Sequence, residues 1–465
     1  MTIDKKIVLV GAGSTSFGPA MLTDIALSEV LGGSTIVLHD IDKEKLEIIY
    51  DIVMKENEIL KNKYNIEWTT NRADAFKGAD FIVSSIEVGE RFRLWMQDYE
   101  IPRKHGSTQI LGECGGPGGS LHAMRIIPQI IDIAKDAEKR CPNAFLINFS
   151  NPMSRVCLAI KRSVEKLKWI GLCHQIGFMH KNLPRMFYDY FYKKNFDELK
   201  FKNKITRLKA IDKRLKMLCS GLNHFGFLIG MTDTETGQDM MPEFHKRAMP
   251  YFEKHDDRFE FSNLTFEVYK RFGVFSYAGD NHLGEYLQIG EEFTETQDMI
   301  DWINFADSLG NLIYGKVIKT HRKLQKGRYP RKGMLLKTPT GERAVPIIEA
   351  ILEDRNSYEP AVNIPNDGLV DNLPQDLVLE TSITVDKDGV HGVKIGTLPK
   401  GIAGLLRIEA SVQDVCVEAI LKKSKELAIT ALAIDPNVGS FEMAEKIFDE
   451  MISIKEQREF LDYLK

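Results

Sequence analysis

The chain has 465 residues, 43% of them hydrophobic and 28% charged, which is ordinary for a globular protein of roughly two or three domains. Its net charge of -4 gives no electrostatic reason to expect a nucleic acid or a membrane surface as a partner. The six cysteines form no C-x-x-C pair, and no apolar run approaches the ~20 residues of a membrane-spanning helix. We therefore expect a cytoplasmic protein.

Short apolar runs alternate with helical stretches through the first third of the chain. The runs are KIVLV, TIVLH, FIVSS, AFLIN and KWIGL, and the helical stretches include PAMLTDIALSEV and RIIPQIIDIAKDAEKR. Because the runs are rich in Val, Ile and Leu and show no polar alternation, they favour a parallel sheet covered on both faces. We therefore predict an α/β fold with a Rossmann-type doubly wound parallel sheet over residues 1–190.

The remainder of the chain is less regular. A lysine-rich segment from Tyr192 to Lys216 is predicted to be a solvated insertion. Further on, LVLETSITVD has the composition of a strand, and VQDVCVEAILKKSKELAITALAI and FEMAEKIFDEMISI have the apolar spacing of helices. No Ser- or Gly-rich linker separates the two halves. We expect a C-terminal α+β domain over residues 191–465, packed directly on the first domain.

The first candidate site follows the first strand, in GAGSTSFG. Gly11 would make the tight turn, and Gly13 would let the backbone approach a pyrophosphate, with Ser14 beside it before the next helix. Asp40 ends the second strand in VLHDID, where a carboxylate can bind ribose hydroxyls and favour NAD over NADP. Ser16 stands where the usual fingerprint has a third glycine. We predict a dinucleotide site here; the alternative is a glycine turn that binds nothing.

Two further loops carry polar groups beside predicted strands and helices. In NFSNP, Asn148 and Asn151 follow a strand, and their amides can both donate and accept hydrogen bonds, which suits sugar hydroxyls. A simple turn before proline is the alternative. In GECGGPGGSLHAMR, the glycines allow close backbone packing, and Glu113 stands at the start of the loop.

A cysteine and a histidine are adjacent in GLCHQ. A lone buried thiol is one explanation of Cys173, because free cysteine is among the most buried residue types. Adjacent strand residues point to opposite faces, so Cys173 and His174 cannot act directly as a nucleophile and its base, nor both bind one metal. A second ligand must come from elsewhere. His224, in SGLNHFGF, is the candidate, although a histidine satisfied within the core is the alternative.

The motifs GAGS, NP, GLCH, GLNH and NDGLVDNLPQ occur in an order that resembles glycoside hydrolase family 4 over nearly the whole chain. Within that family, the sequence resembles the α-galactosidase and α-uronidase branch. This resemblance implies a fold like that of lactate and malate dehydrogenases and a requirement for NAD and a divalent metal, usually Mn²⁺. It also implies a small-molecule glycoside as substrate and a homodimer or homotetramer.

The resemblance assigns roles to several of these residues. Cys173 and His224 look like the metal ligands, and Asn151 and Glu113 fall where the family contacts sugar hydroxyls. His174 falls where members acting on phosphorylated sugars carry Asp or Asn, so a histidine there is similar to members acting on unphosphorylated sugars. His174 is also a candidate acid or orienting group near the leaving oxygen.

The family's chemistry is implied as well. The implied reaction is oxidation at C3 of the sugar by NAD, metal-assisted removal of the C2 proton, and elimination of the C1 substituent. Asp280, in YAGDNHLGEY, lies where the family places its proton-abstracting base, with Tyr277 and His282 as rivals. Two other functions remain as alternatives: an NAD-dependent 2-hydroxy-acid dehydrogenase, and a sugar- or nucleotide-binding regulator without activity.

The identity of the sugar is the next question. We favour an α-galactoside or an α-galacturonide as the substrate. Arg91 and Arg93, in EVGERFRLW, could bind a uronate carboxylate through charge-assisted hydrogen bonds. The alternative is that both arginines are surface or subunit-contact residues.

Overall fold

The computed structural model describes residues 4–14, 17–193, 201–254, 263–330, 333 and 339–465. Within these residues, twelve strands form one continuous sheet in the order β3-β2-β1-β4-β5-β6-β10-β11-β7-β8-β9, with β12 beside β11. Ser16 and residues 194–200 of the lysine-rich segment lie outside the described residues.

One half of the sheet is parallel. It consists of β1 (Lys6–Val10), β2 (Thr35–His39), β3 (Asn65–Thr69), β4 (Phe81–Ser84), β5 (Phe145–Asn148) and β6 (Lys168–Gly171). All neighbouring pairs among these strands are parallel. The order 3-2-1-4-5-6 is that of a doubly wound dinucleotide-binding sheet, so the predicted fold class is confirmed.

The other half of the sheet is antiparallel. Its strands are β7 (Leu215–Leu222), β8 (Phe225–Asp233), β9 (Phe275–Ser276), β10 (Ser357–Pro365), β11 (Val378–Asp386) and β12 (Gly389–Gly392). Strand β10 pairs antiparallel with β6 and joins the two halves. The sheet therefore runs across the domain boundary that we placed at residue 190, and that boundary stays a prediction.

Helices flank the sheet throughout the described residues. They are α1 (Phe17–Leu27), α2 (Lys43–Ile59), α3 (Arg72–Phe76), α4 (Arg91–Lys104), α5 (Gly116–Arg140), α6 (Met153–Ser163), α7 (Gly177–Met186), α8 (Tyr188–Tyr192), α9 (Phe201–Arg214), α10 (Met241–Lys254), α11 (Asn263–Phe272), α12 (Asp280–Leu283), α13 (Thr296–Gln325), α14 (Ala344–Glu353), α15 (Lys400–Lys422), α16 (Lys425–Ala433), α17 (Phe441–Ser453) and α18 (Lys455–Leu461). Two 3-10 turns, Gly284–Tyr286 and Gln288–Phe293, follow α12.

Successive residues of β1 belong to two separate cores, because neighbouring side chains of a strand point to opposite faces. Ile7 and Leu9 pack in the core that includes α1, α2 and α14. Val8 and Val10 pack in the core that includes α5, α6 and the C-terminal helices. The unbroken apolar runs that predicted the parallel strands are explained by this burial on both faces.

Two helix boundaries differ from the predictions. The glycine-rich stretch was expected to be a loop, but α5 already begins at Gly116. A Cβ on Gly118 would lie 2.7 Å from the Asp98 carbonyl oxygen, so glycine is needed there for close packing rather than for a flexible loop. The long helical stretch near the C-terminus is divided, because Lys423 has a φ of 56° and the Ser424 side chain then caps α16.

The C-terminal helices cover the parallel half of the sheet. Helix α15 packs along α5 and α6, and buried polar contacts join α15 to α6 and α18 to α5. Arg155 Nη2 donates to Glu409 Oε1 at 3.0 Å, and Arg125 Nη1 donates to Gln457 Oε1 at 3.1 Å. No helix among the described residues combines the length and the apolar character that crossing a bilayer requires.

Candidate active site

The turn after β1 has the geometry that the sequence predicted. Gly11 has a φ of 84°, and a Cβ there would lie 2.0 Å from the Ser85 carbonyl oxygen, so only glycine fits. The Gly13 N–H donates to Asp40 Oδ2 at 2.8 Å, which places the carboxylate of Asp40 directly against the turn. A Cβ on Gly13 would meet the same oxygen at 2.8 Å. The predicted strand–turn–helix arrangement is therefore present.

The start of α1 completes this turn. Ser14 Oγ accepts a hydrogen bond from the Phe17 N–H at 3.2 Å, which satisfies one of the free amide groups at the helix start. A Cβ on Gly18 would lie 2.5 Å from the Ala12 carbonyl oxygen. Gly18 thus allows the close helix–strand packing that the third fingerprint glycine usually provides. The usual fingerprint spacing places that glycine at position 16, where this chain has Ser16, so the role of Gly18 was not predicted.

Cys173 and His224 meet at the carboxyl edge of the sheet. Cys173 lies two residues beyond β6, and His224 lies in the two-residue loop between β7 and β8. The Cys173 Sγ and His224 Nε2 atoms are 3.3 Å apart. Typical metal distances of about 2.3 Å for a thiolate and about 2.1 Å for an imidazole allow one ion to bind both atoms at this separation. The pair is therefore compatible with a metal site.

The backbone of His224 is unusual. Its φ of 62° is left-handed, a conformation that only a few per cent of non-glycine residues adopt and that costs free energy. Its Nδ1 is buried and has no hydrogen-bond partner among the described residues. Burial, together with the neighbouring His282 and His174, lowers the pKa of His224 well below its usual value. His224 is thus held neutral, the form in which imidazole binds metals.

Burial raises the pKa of the Cys173 thiol to about 12, and the nearby Glu380 adds to this effect. Because the thiolate is the form that binds metals, a cation beside Cys173 would be needed to hold it deprotonated. The donor set itself, sulfur and nitrogen, does not select manganese over softer divalent metals.

Two further side chains extend this pair. Ligand atoms of Glu113, His224 and His282 all lie within 4.8 Å of one another. The ring centroids of His224 and His282 are 3.9 Å apart. The described residues thus bring Cys173, His224, His282 and Glu113 into one group, which we call the donor cluster. His282 was predicted only as a rival for the base, and its place in this cluster was not foreseen.

Glu285, which the sequence analysis did not single out, holds this cluster together. Its Oε1 lies 2.8 Å from His282 Nδ1, and its Oε2 accepts hydrogen bonds from the N–H groups of Glu113, Cys114 and Gly115 at 2.9, 2.6 and 2.7 Å. Burial lowers the pKa of His282, but the hydrogen bond and charge of Glu285 outweigh this effect and leave it raised. One buried carboxylate therefore orients both His282 and the loop of Glu113.

A second buried carboxylate, Glu380 on β11, lies beside the cluster. Its Oε1 accepts a hydrogen bond from Asn223 Nδ2 at 2.8 Å, and its Oε2 accepts one from Tyr277 Oη at 2.9 Å. Burial raises the pKa of Tyr277 well above its usual value, and the charge of Glu380 adds to this. Tyr277 is fully buried, and its hydroxyl donates to the Glu380 carboxylate.

Asp280 has the contacts of a helix cap. Its two carboxylate oxygens accept hydrogen bonds from the N–H groups of Leu264 and Thr265, both at 2.9 Å, and from Thr265 Oγ1 at 2.5 Å. These are free amides in the first turn of α11, where a carboxylate is stabilising. The structure thus gives Asp280 a capping role and does not place it in the donor cluster.

The predicted sugar-binding residues are adjacent. Asn151 Nδ2 lies 3.5 Å from Glu113 Oε1, and Asn151 is joined to Pro152 by a cis peptide bond. Asn151 Oδ1 is buried and has no hydrogen-bond partner among the described residues. Asn148 instead bonds within its own turn, where its Nδ2 donates to the Ser150 carbonyl oxygen at 3.0 Å. Asn151, rather than Asn148, therefore offers a free acceptor beside the cluster.

The two arginines considered for a uronate carboxylate already have carboxylate partners. Arg91 lies 2.9 Å from Glu113 Oε1 and 3.3 Å from Glu87 Oε2, so its guanidinium is paired within the chain. Arg93 pairs with Glu456 at 2.7 Å, and its side chain is 65% exposed. Arg93 is thus a surface residue, and Arg91 positions Glu113.

His174 is exposed and does not belong to the donor cluster; both Cys173 and His174 lie beyond the end of β6, so the strand-alternation argument does not apply to them. It is close to Glu342. Burial raises the pKa of Glu342, and the charge of His174 opposes that effect.

Solved structures with the same fold include enzymes with bound NAD. A 6-phospho-alpha-glucosidase from gut microorganisms, in complex with NAD and Mn²⁺, is 21% identical with a TM-score of 0.78, and covers 97% of this chain and 98% of its own. The 6-phospho-beta glucosidase from Thermotoga maritima, with manganese, NAD⁺ and glucose-6-phosphate, is 20% identical with a TM-score of 0.76, and covers 98% of this chain and 99% of its own. At this level of identity, the likeness shows the fold.

Closer relatives are glycosidases. An alpha-glucosidase of Erwinia rhapontici is 33% identical over 99% of both chains. An alpha-galacturonidase of Thermoanaerobacter italicus and an alpha-galactosidase of Bacillus subtilis are each 29% identical, covering 98% and 94% of this chain and 97% and 94% of their own. Residues 6–188 match the family model of family 4 glycosyl hydrolases, and residues 219–438 match that of their C-terminal domain. The chain therefore belongs to glycoside hydrolase family 4.

Proposed function

We propose that this chain is an NAD- and divalent-metal-dependent glycosidase that hydrolyses neutral, unphosphorylated α-hexosides. The observation that carries the proposal is the pair of Cys173 and His224, 3.3 Å apart, at the same edge of the sheet as the Gly11–Asp40 turn. An ordinary 2-hydroxy-acid dehydrogenase needs the turn but has no use for a thiol–imidazole pair. The family membership and the NAD and Mn²⁺ of the 6-phospho-alpha-glucosidase structure support the same combination.

The turn fits a dinucleotide. Gly11 and Gly13 leave the backbone open to close approach, and Asp40 offers a carboxylate for ribose hydroxyls, which favours NAD over NADP. The Asp40 carboxylate is held in place by the N–H groups of Gly13 and Asp42, at 2.8 and 2.9 Å. When bound, NAD supplies a hydride acceptor that returns the hydride at the end of each turnover.

The metal would be held by Cys173 and His224, with Glu113 as a further donor. His224 is neutral and presents Nε2 toward the sulfur, which is the form and direction that ligation requires. When bound, a divalent ion supplies a Lewis acid that polarises sugar oxygens. The proposal of manganese comes from the family resemblance, and the solved 6-phospho-alpha-glucosidase with Mn²⁺ supports it.

We assign removal of the C2 proton to His282 rather than to Asp280. Asp280 caps α11 and Tyr277 donates to Glu380, whereas His282 lies in the donor cluster and is backed by Glu285. The Glu285 carboxylate holds a proton on Nδ1, so that Nε2 is free to accept one. The raised pKa of His282 makes Nε2 a stronger base than an isolated imidazole.

We infer the nature of the sugar from the charges near the cluster. Arg91 is neutralised by Glu87 and Glu113 and Arg93 lies at the surface, so neither is free to recognise the carboxylate of a uronide or a phosphate. This contact pattern favours a neutral hexoside and removes the arginine argument for a galacturonide. We therefore retain the α-galactoside from the sequence analysis and add the α-glucoside, the substrate named for the Erwinia rhapontici relative.

Turnover of a panel of nitrophenyl glycosides tests the proposal. The panel contains α-glucoside, α-galactoside, α-galacturonide and 6-phospho-α-glucoside, each with NAD, Mn²⁺ and a thiol reductant, and each repeated without NAD or with a chelator. We expect hydrolysis of a neutral α-hexoside. The hydrolysis should require both NAD and Mn²⁺ and should leave no net NADH. Preference for the galacturonide or the phosphorylated sugar would contradict the neutral-sugar assignment. Net NADH formation would indicate the dehydrogenase, and binding without turnover the regulator.

A further inference from the structure

Helix α13 is long and exposed. It has 30 residues, all of them described, and its only buried positions are Met299, Ile303 and Thr320. One side of the helix contacts α2 and α4. Elsewhere it exposes Phe305, Leu309 and Leu312, which are 58%, 44% and 54% exposed.

These three apolar residues form one stripe. Their spacing of four and three residues places them on a common face of the helix. Trp302, one turn earlier, contacts Phe305 with ring centroids 6.3 Å apart and extends the stripe. A row of large exposed apolar side chains on one helix face is typical of a protein–protein contact.

Exposed charged residues stand at both ends of this stripe, and their signs differ. Asp298 and Asp301 flank it toward the N-terminus of α13, and Lys316 and Lys319 flank it toward the C-terminus. At 3.6 residues per turn, all four lie on or beside the face of the stripe. Within the described part of the chain, none of the four has an ion-pair partner; the recorded contact of Asp301 is a hydrogen bond from Gln297.

The face is complementary to itself. Two copies of α13 can be paired antiparallel about a two-fold axis that passes midway between Ser308 and Leu309. This register sets acidic residues opposite basic ones, an aromatic ring opposite an aliphatic side chain, and the largest side chain opposite a glycine. The resulting pairs are Asp298 with Lys319, Asp301 with Lys316, Trp302 with Gly315, and Phe305 with Leu312.

We propose that this face of α13 is the contact between two copies of the chain, paired antiparallel in that register. An isologous two-fold interface requires one patch that complements itself, which is what the charge order and the size order along α13 provide. A different partner protein would have no need for such a pattern. The homodimer or homotetramer expected from the sequence left open which surface is used.

Charge reversal tests both the surface and the register. In Asp301→Lys, two lysines face each other at each of two symmetry-related positions, and in Lys316→Asp two aspartates do. We expect each single variant to raise the dissociation constant of the dimer by about tenfold or more, because attraction becomes repulsion twice per dimer. The double variant Asp301→Lys with Lys316→Asp restores opposite charges and should return the constant to near the wild-type value.

The measurement is sedimentation equilibrium of the full chain at several concentrations. Asp307→Lys is the matched control, because Asp307 lies on another face of the same helix; it should leave association unchanged. Leu312→Glu should abolish the association step that the charge variants weaken. A monomeric wild type at micromolar concentration, or Leu312→Glu associating like the wild type, would overturn the proposal. Failure of the double variant to recover would reject the antiparallel register.

Discussion

The parallel and the antiparallel halves of the sheet contribute to the same site by different means. At the parallel edge, functional groups directly follow strand ends, as in Gly13, Asp40, Asn151 and Cys173. In the antiparallel half and the segment after β9, the functional groups are positioned by a hairpin loop or by a buried side chain from another part of the chain. His224 sits in a hairpin loop with a left-handed backbone, and His282 is oriented by the buried Glu285.

This difference indicates which parts of the site should be most sensitive to substitution. Backbone geometry builds the parallel edge, whereas two buried carboxylates, Glu285 and Glu380, build the other side, each accepting several hydrogen bonds. Removing one oxygen from such a carboxylate leaves buried donors without a partner, which is costly. Substitutions at residues that only orient a functional group should therefore matter more in the antiparallel half than in the parallel half.

The largest effect is expected where the two halves meet. Cys173→Ser and His224→Ala should each lower kcat by on the order of 10³-fold or more, because either loss removes a ligand of the Lewis acid. Metal content by mass spectrometry and turnover with Mn²⁺ would be measured on each purified variant. Cys141→Ser, at a buried cysteine of the core between the sheet and α5, is the control. Full activity in either the Cys173 or the His224 variant would contradict the assignment of these two residues as ligands of one metal ion.

A smaller loss is expected for Glu285→Gln. The amide oxygen should stay with the three backbone N–H groups, so the amide NH₂ faces Nδ1 of His282 and forces the proton onto Nε2. A protonated Nε2 cannot accept a proton, and kcat should fall by about 10²- to 10³-fold. Metal content should change little if His282 is the base. A large loss of metal would instead indicate that His282 is a metal ligand. Glu291→Gln, at an exposed glutamate, serves as the control.

On the parallel side, Asp40→Ala should act on the cofactor alone. We expect the Kd for NAD to rise by about 10- to 100-fold, because a ribose hydroxyl loses a charged acceptor. The KM for the glycoside at saturating NAD should stay nearly constant. Titration calorimetry with NAD and with NADP would measure the change, with Glu44→Ala, at an exposed carboxylate on α2, as the matched control. Tighter wild-type binding of NADP than of NAD would contradict the role of Asp40.

The smallest effect concerns the stability of the antiparallel half. Arg214 hydrogen-bonds the Asp233 carboxylate and lowers the pKa of Asp233 to about 2. A depressed carboxyl pKa stabilises the fold above the unfolded-state value and loses that contribution as the pH falls from about 4 to about 2. After allowance for solvent screening, we expect about 1 kcal/mol. Urea unfolding at pH 5 and pH 3 should show a smaller pH difference for Asp233→Asn; an equal difference would assign the acid sensitivity to other groups.

Sequence patterns predicted the parallel half well because burial on both faces leaves unbroken apolar runs, as in β1 and β5. The pairing of Cys173 with His224 came from the family resemblance. Strand order alone does not explain it, because β10 and β11 lie between β6 and β7 in the sheet and neighbouring strands are about 4.8 Å apart. The turn at Gly11 and Asp40 was predictable because its contacts are local to two adjacent strands.

The features that were not predicted depend on contacts between residues that are far apart in the sequence. Glu285 bonds amides about 170 positions earlier in the chain, and nothing in HLGEY distinguishes it from an exposed glutamate. The helical start at Gly116 was hidden because glycine disfavours helices; the close approach of the Asp98 and Gly112 carbonyl oxygens to Gly118 explains why glycine stands in this helix. Asp280 was chosen by its position in a motif, whereas its contacts with Leu264 and Thr265 are visible only in three dimensions.

The packing of α15 on α5 also affects biosynthesis. The apolar side of α5 is complete once residue 140 has been made, but the helix that covers it begins at Lys400. At ribosomal rates of about 5–20 residues per second, the nascent chain carries this uncovered surface for roughly ten to fifty seconds. The order of the elements along the chain therefore sets a minimum time to the folded state, which no stabilising substitution can shorten.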